Sequence, residues 1–396
     1  MLPRWPCPTA PGNRTCVVRL LVVMMLAVAG PLRGERAVYP GSEWTAREPS
    51  QAGLAAGLLE QVAGYLGGRG MVVRHGFQVF AWGDVARRAD IASAAKPFYT
   101  HFLLHAVESG RLEGVDTPLA VYEPRLRDLN PGLGYKDRRI TFRHGANQIS
   151  CYGVEEAPGA AFDYNDFQMT LLWQTLVRGV YGLSLEEVDG ALFRPRLADR
   201  IGCQDQPTML AFGAGDRPGR VAISVRDHCR FGLLYLRQGV WPGEKGDLVA
   251  LISSNHVAMA TRSPLPLSLP RTRARAAGMI PGQPSLGSRR VPDDQTDHLG
   301  CYSWLWWVNG VRASGRRLWP EAPADAFAAL GHEHGKRGLV VLPSLDLVMA
   351  WNDSTLDRRP WMDPALDPHP LNEALRLLVA AVAAAGGTNH GSEPGR

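Results

Sequence analysis

Apolar positions recur at helical spacing over residues 52–65, where Leu54, Leu58, Leu59, Val62 and Tyr65 precede a stop at Gly67 and Gly68. A packed helix is predicted there. Residues 70–83 read as two short strands joined at His75 and Gly76. Residues 98–110 form an apolar run closed by Gly110, a buried helix. A short helix or turn opens over 139–144. A Pro158-Gly159 turn and an extended pair then lead into a helix that continues to Tyr181. Ser184 and Glu187 are spaced as a capping box for a helix over 184–192. Residues 225–237 form a strongly amphipathic helix ended by Gly239. Asp227 lies in its first turn, where a carboxylate suits the helix dipole.

From Gly300 the pattern returns to strands. Residues 302–310 read as one strand, and alternation sends Trp304 and Trp306 to one face and Trp307 to the other, mainly as core. Residues 326–330 lead into a Gly/His-rich turn at 331–338. A hairpin, 339–343 with 347–351, follows around Ser344, Leu345 and Asp346, and 371–385 is a closing amphipathic helix. Strands at both ends with helices between predict an α+β fold: an antiparallel sheet flanked by helices, with an inserted all-helical region. The sheet region comes from about 52–92 and 299–385, and the helical region from about 97–260. The whole domain runs from 38 to 385.

Residues 263–298 interrupt this order with six prolines and the basic cluster Arg271, Arg273 and Arg275. A loop this long in a compact chain is functional or mobile. The cluster reads as solvated loop, with contact to an anionic substrate as the alternative.

The composition is globular, with 45 % hydrophobic and 20 % charged residues in a chain of 396. The net charge of +5 includes Arg4, Arg14 and Arg19, which precede an apolar run ending in Ala27-Val28-Ala29. That is the layout of an export signal over 1–29, too short for a comfortable membrane span. Export, to a periplasm or beyond, removes those arginines and leaves no integral span and no charge excess pointing to nucleic acid. Cys151, Cys203, Cys229 and Cys301 remain, widely spaced, and read as buried free thiols rather than disulfides. No zinc signature, P-loop or dinucleotide fingerprint is present, so no metal or cofactor is implied. Residues 386–396 read as a disordered tail.

The chemistry sits at Ser93-Ala94-Ala95-Lys96, between the first hairpin and the buried helix. Residues three apart on a helix share a face, so Lys96 can reach the Ser93 hydroxyl. A serine needs such a base to act as a nucleophile, and burial with a second positive neighbour would lower the lysine pKa to suit. Free backbone N–H groups at a helix start suit a developing oxyanion.

Three further blocks follow: Phe162 to Asp166 after Pro158-Gly159, Arg226 to Leu236 before Gly239, and the Gly/His-rich turn before the closing hairpin. In this order the chain resembles, from about residue 70 to 385, the serine beta-lactamase-like family of class C beta-lactamases, D-Ala-D-Ala carboxypeptidases, esterases and amide hydrolases. The resemblance implies Ser93 as nucleophile, Lys96 as its proton acceptor and Tyr164 as a second general base that protonates the leaving group. Asp166 stands where the family has an asparagine. It could hold Lys96 but could not donate an amide hydrogen bond to a substrate carbonyl. The third motif falls within 331–337: His334 fits when counted back from Pro343, His332 when counted forward from Gly331. A backbone N–H near Arg337 would then complete the oxyanion hole, and Lys336 would crowd the strand. The substrate implied is a small or peptide-like acyl compound, hydrolysed as ester or amide. The alternative is an acylated sensor without turnover, or a scaffold without chemistry.

Overall fold

The computed structural model describes residues 37–211, 217–292, 296–332 and 334–387. The expected export signal and all but the first two residues of the expected tail lie outside these described residues.

Helix α1 (Ala56–Leu66) leads into the hairpin β1 (Arg69–Arg74) and β2 (Phe77–Trp82). After the short β3 (Ala89–Asp90), one tight turn at Ala92–Ala95 runs into α2 (Lys96–Glu108). The middle of the chain holds α3 (Phe142–Ala146), α4 (Asp166–Gln174), β4 (Thr208–Ala211), β5 (Arg217–Ile223), α5 (Val225–Leu236), β6 (Val240–Pro242), β7 (Leu248–Ala250) and α6 (Ser254–Arg262). The last third supplies β8 (Tyr302–Ser303), β9 (Trp306–Val308), β10 (Phe327–Gly331), β11 (Arg337–Leu342), β12 (Leu347–Asn352) and α7 (Leu371–Gly387).

Seven strands form an antiparallel sheet in the order β2-β1-β12-β11-β10-β9-β8. The domain's first and last strands therefore meet inside the sheet, one strand in from the β2 edge, where β1 pairs with β12 from Arg69 opposite Asn352 to Arg74 opposite Leu347. The sheet is buried on both faces, so β11 reads as an unbroken apolar run. Alternation still sorts the side chains. Val72, Val340 and Met349 pack with α1 and α7, while Val73, Leu339, Val341 and Val348 face α5 and the helical region.

The middle of the chain is not wholly helical. Strand β5 pairs with both β3 and β4 in a three-stranded sheet, and β6 with β7 in a hairpin. This small sheet ties the approach to Ser93 to the middle region: Ile91 N donates to Val221 O at 3.0 Å. The capping box at Ser184 and Glu187 is formed, but the helix begins at Val188 and runs to Ala198.

The single strand expected over 302–310 is a hairpin instead. Trp304 and Leu305 both take left-handed backbone angles, φ 49° and 68°, as the turn between β8 and β9 requires. Neither is a turn-forming residue by type. Tertiary bonds hold them: Trp304 N donates to Asn147 Oδ1 at 2.9 Å, and Thr100 Oγ1 donates to Trp304 O at 2.7 Å. Trp304 and Trp306 are core, Trp304 from the turn rather than by strand alternation, whereas Trp307 is only partly buried.

The loop 263–298 contains neither helix nor strand among its described residues. It runs as a strap along the segment before α4, bridged at Val154 with Ala276 and at Phe162 with Arg271. Two of its arginines reach carboxylates before α4, Arg275 through its guanidinium and Arg273 through its backbone N–H. Arg275 lies 3.2 Å from Glu155, and Arg273 N donates to Glu156 at 3.2 Å. The four cysteines from Cys151 to Cys301 are free thiols.

Helix α5 lies so close to the sheet that a Cβ at Gly232 would stand 2.6 Å from Val348 Cγ1 and 2.7 Å from Leu339 Cδ1. Gly232→Val should therefore destabilise the fold by about 1–3 kcal/mol through overpacking. Urea unfolding measures this, and an unchanged midpoint would contradict the close approach.

Candidate active site

Asp90 sets the geometry just before the serine. Its carboxylate accepts from Ala92 N at 2.8 Å and from Arg220 Nε at 3.1 Å, and it lies 3.4 Å from Arg337 Nη1. Ala92 is held at φ 50°, a sparsely populated region for a residue with a Cβ. The chain then enters its first helical turn with Ser93 partly exposed and Ala94 and Ala95 buried. Lys96, at the start of α2, donates from Nζ to Ser93 Oγ at 2.9 Å.

The same Nζ donates to Asp166 Oδ1 at 3.0 Å. Asp166 occupies the first turn of α4, which Asn165 caps by accepting from Gln168 N at 2.8 Å. The strap closes over this carboxylate. Ser288 Oγ accepts from Asp166 N at 2.8 Å, and a Cβ at Gly287 would stand 2.5 Å from Asp166 Oδ2. Tyr164 stands two residues before the helix, ahead of the extended Asn165. Its ring lies 4.6 Å from Lys96 Nζ and packs against Phe162 and Tyr302.

This arrangement reverses one expectation. Burial alone would push the Lys96 pKa down, but Asp166 and Tyr164 more than offset it, and the net shift is upward. The lysine's neighbour is a carboxylate and not a second cation. At neutral pH Lys96 is an ammonium that donates to Ser93 and Asp166 together.

The Gly/His-rich turn connects β10 to β11, with Gly331 opposite Arg337. Gly331 is the residue pressed against the serine's turn: a Cβ there would lie 2.1 Å from Ile91 O and 2.9 Å from Ala94 N. Arg337 lies across the ladder, its guanidinium turned to Asp90. His332 follows Gly331 at φ 65° and is 49 % exposed, with Nδ1 3.9 Å from Asp357 Oδ2. Lys336 also points to Asp357, at 3.7 Å, rather than across the strand. His334 stacks edge-on against Trp361 and His369.

Ser93 and Tyr164 open onto a cleft of about 110 Å³. Its walls include Trp307, Leu330 and Trp361, with His332, Thr296 and His369 completing it. His332 thus lines the cleft itself, and His334 supports two of its walls from behind. Burial pushes the His369 pKa down to about 3, so the ring is neutral. Its Nδ1 accepts from Leu371 N at 3.1 Å, which leaves the proton on Nε2. Trp361 and His369 carried no signal in the sequence. They lie in the proline-containing link before α7, where no periodicity marks a face.

No family model matches the chain, and no curated protein matches it. Solved structures do. A provisionally assigned 6-aminohexanoate-dimer hydrolase from Bacillus anthracis is 15 % identical with a TM-score of 0.54, covering 90 % of this chain and 92 % of its own. A provisionally assigned beta-lactamase from Bacteroides dorei is 15 % identical with a TM-score of 0.54, over 82 % and 96 %. A penicillin-binding protein homologue from Caulobacter crescentus is 13 % identical with a TM-score of 0.52, over 86 % and 98 %. Together with the antiparallel sheet and its flanking helices, these matches show that the chain has the serine beta-lactamase-like fold.

Proposed function

We propose that this chain is a serine hydrolase that works through an acyl-enzyme on Ser93, exported by the signal read over 1–29. The observation that carries the reading is Lys96 Nζ, buried and 2.9 Å from Ser93 Oγ. The structural neighbours described as a beta-lactamase and as a 6-aminohexanoate-dimer hydrolase support a hydrolase reading of this fold.

In the proposed cycle, the free-amine form of Lys96 takes the Ser93 proton as Oγ attacks a carbonyl carbon. Asp166 stabilises the ammonium that results, and Tyr164 passes a proton to the leaving group. The backbone N–H of Ser93 faces the oxyanion, with the Gly331 edge of β10 packed beside it. Asp166 offers an acceptor where an amide donor would recognise a peptide carbonyl, which favours ester over peptide substrates.

The raised Lys96 pKa also favours a second reading, an acylated sensor that turns over slowly, because the free amine is scarce at neutral pH. Hydrolysis of 4-nitrophenyl butanoate distinguishes them. Steady turnover is expected, lowered by about 10³–10⁶-fold in Ser93→Ala. A burst without turnover would establish the sensor, and an unchanged rate in Ser93→Ala would remove Ser93 from the chemistry.

The pH profile tests the role of Asp166. A raised lysine pKa means that the free amine grows as pH rises, so kcat/KM should climb toward alkaline pH. Asp166→Asn removes the leading contribution that raises that pKa, so the climb should move to lower pH. A profile that stays in place would show that Lys96 is not the titrating base.

A further inference from the structure

We propose that the cleft beside Ser93 selects short, uncharged acyl groups and rejects acyl donors that carry a free carboxylate. The inference rests on the serine-hydrolase reading and narrows its substrate class.

Size is the first argument. The cleft holds about 110 Å³. A dry apolar cavity of about 150 Å³ takes a benzene ring, so this one takes an acyl group of roughly four to six non-hydrogen atoms. Trp307 is fixed in β9, and Trp361 is held in the link before α7, where its Nε1 donates to Asp367 O at 3.1 Å. A longer chain has to leave the cleft for water.

Charge is the second argument. Leu330, Trp307 and Trp361 are uncharged by type, and His369 is neutral by burial. Among the described residues that line the cleft there is no arginine and no lysine. Four cations near it face carboxylates. Arg220 and Arg337 share Asp90, Lys336 faces Asp357, and Lys96 faces Asp166. His332, at the rim, is turned to Asp357 as well. A substrate carboxylate would lose its water here with no arginine or lysine on the described lining to pair with it, and Asp166 adds a like charge behind the serine.

The chemistry follows directly for an ester. A bond forms between Ser93 Oγ and the acyl carbon, the ester C–O bond breaks, and the serine proton ends on the departing alcohol. Water then attacks the acyl-serine, releasing the short carboxylic acid and returning the proton to Ser93.

The test uses the full chain and the 4-nitrophenyl esters of acetate, butanoate, octanoate and decanoate. The singly charged succinate half-ester matches butanoate in length. Fluorophosphonate labelling runs in parallel. From butanoate to decanoate kcat/KM should fall at least about tenfold, and from butanoate to the succinate half-ester about a hundredfold. Trp361→Ala should raise the decanoate-to-butanoate ratio. A labelled serine that prefers decanoate, or takes the succinate half-ester as well as butanoate, overturns the inference while leaving the hydrolase reading intact. Neither labelling nor turnover overturns both.

Discussion

A buried ammonium joins the halves of this molecule. Lys96 comes from the helix that follows the first hairpin and Asp166 from a helix seventy residues further on, and their contact is 3.0 Å. Both groups are nearly removed from water. A pair in that position is costly to break, because removing one partner strands the other charge. The pair fixes α2 against α4, and it leaves another N–H of the ammonium to donate to Ser93 Oγ. Asp166 has a cost of its own, since it holds the lysine in the protonated form that cannot accept a proton.

The rest of the fold supplies rigidity around that contact. The first strand of the hairpin before Ser93 pairs with the domain's last strand inside the sheet, so the two chain regions that carry Ser93 and Gly331 belong to one framework. Gly331 lets β10 lie directly against the serine's turn. Asp90 gathers Ala92 N, Arg220 and Arg337 on the other side. The strap over 263–298 closes the third side through Ser288 and Gly287.

What was legible in the sequence was local. The Ser93-x-x-Lys96 spacing, the hairpin at His75 and Gly76 and the closing hairpin all follow from period and turn residues within a dozen positions. The elements that tertiary contacts decide were not legible. Trp304 and Leu305 make a turn only because Asn147 and Thr100 grip its backbone. Nothing within 331–337 says that Gly331 meets the serine's turn, because that depends on where β10 lies relative to β3 and α2. The direction of the Lys96 shift needed the distance to Asp166, and the cleft walls Trp361 and His369 needed the path of the link before α7. The chemistry was written in a short motif, and its tuning in long-range packing.

Mass-spectrometric mapping of a fluorophosphonate adduct on the folded chain tests the account most directly. An activated nucleophile at Ser93 predicts a single adduct on the peptide containing Ser93, forming faster as pH rises. An adduct confined to another residue, or none on the folded protein at any pH, would contradict the claim that Lys96 activates this serine.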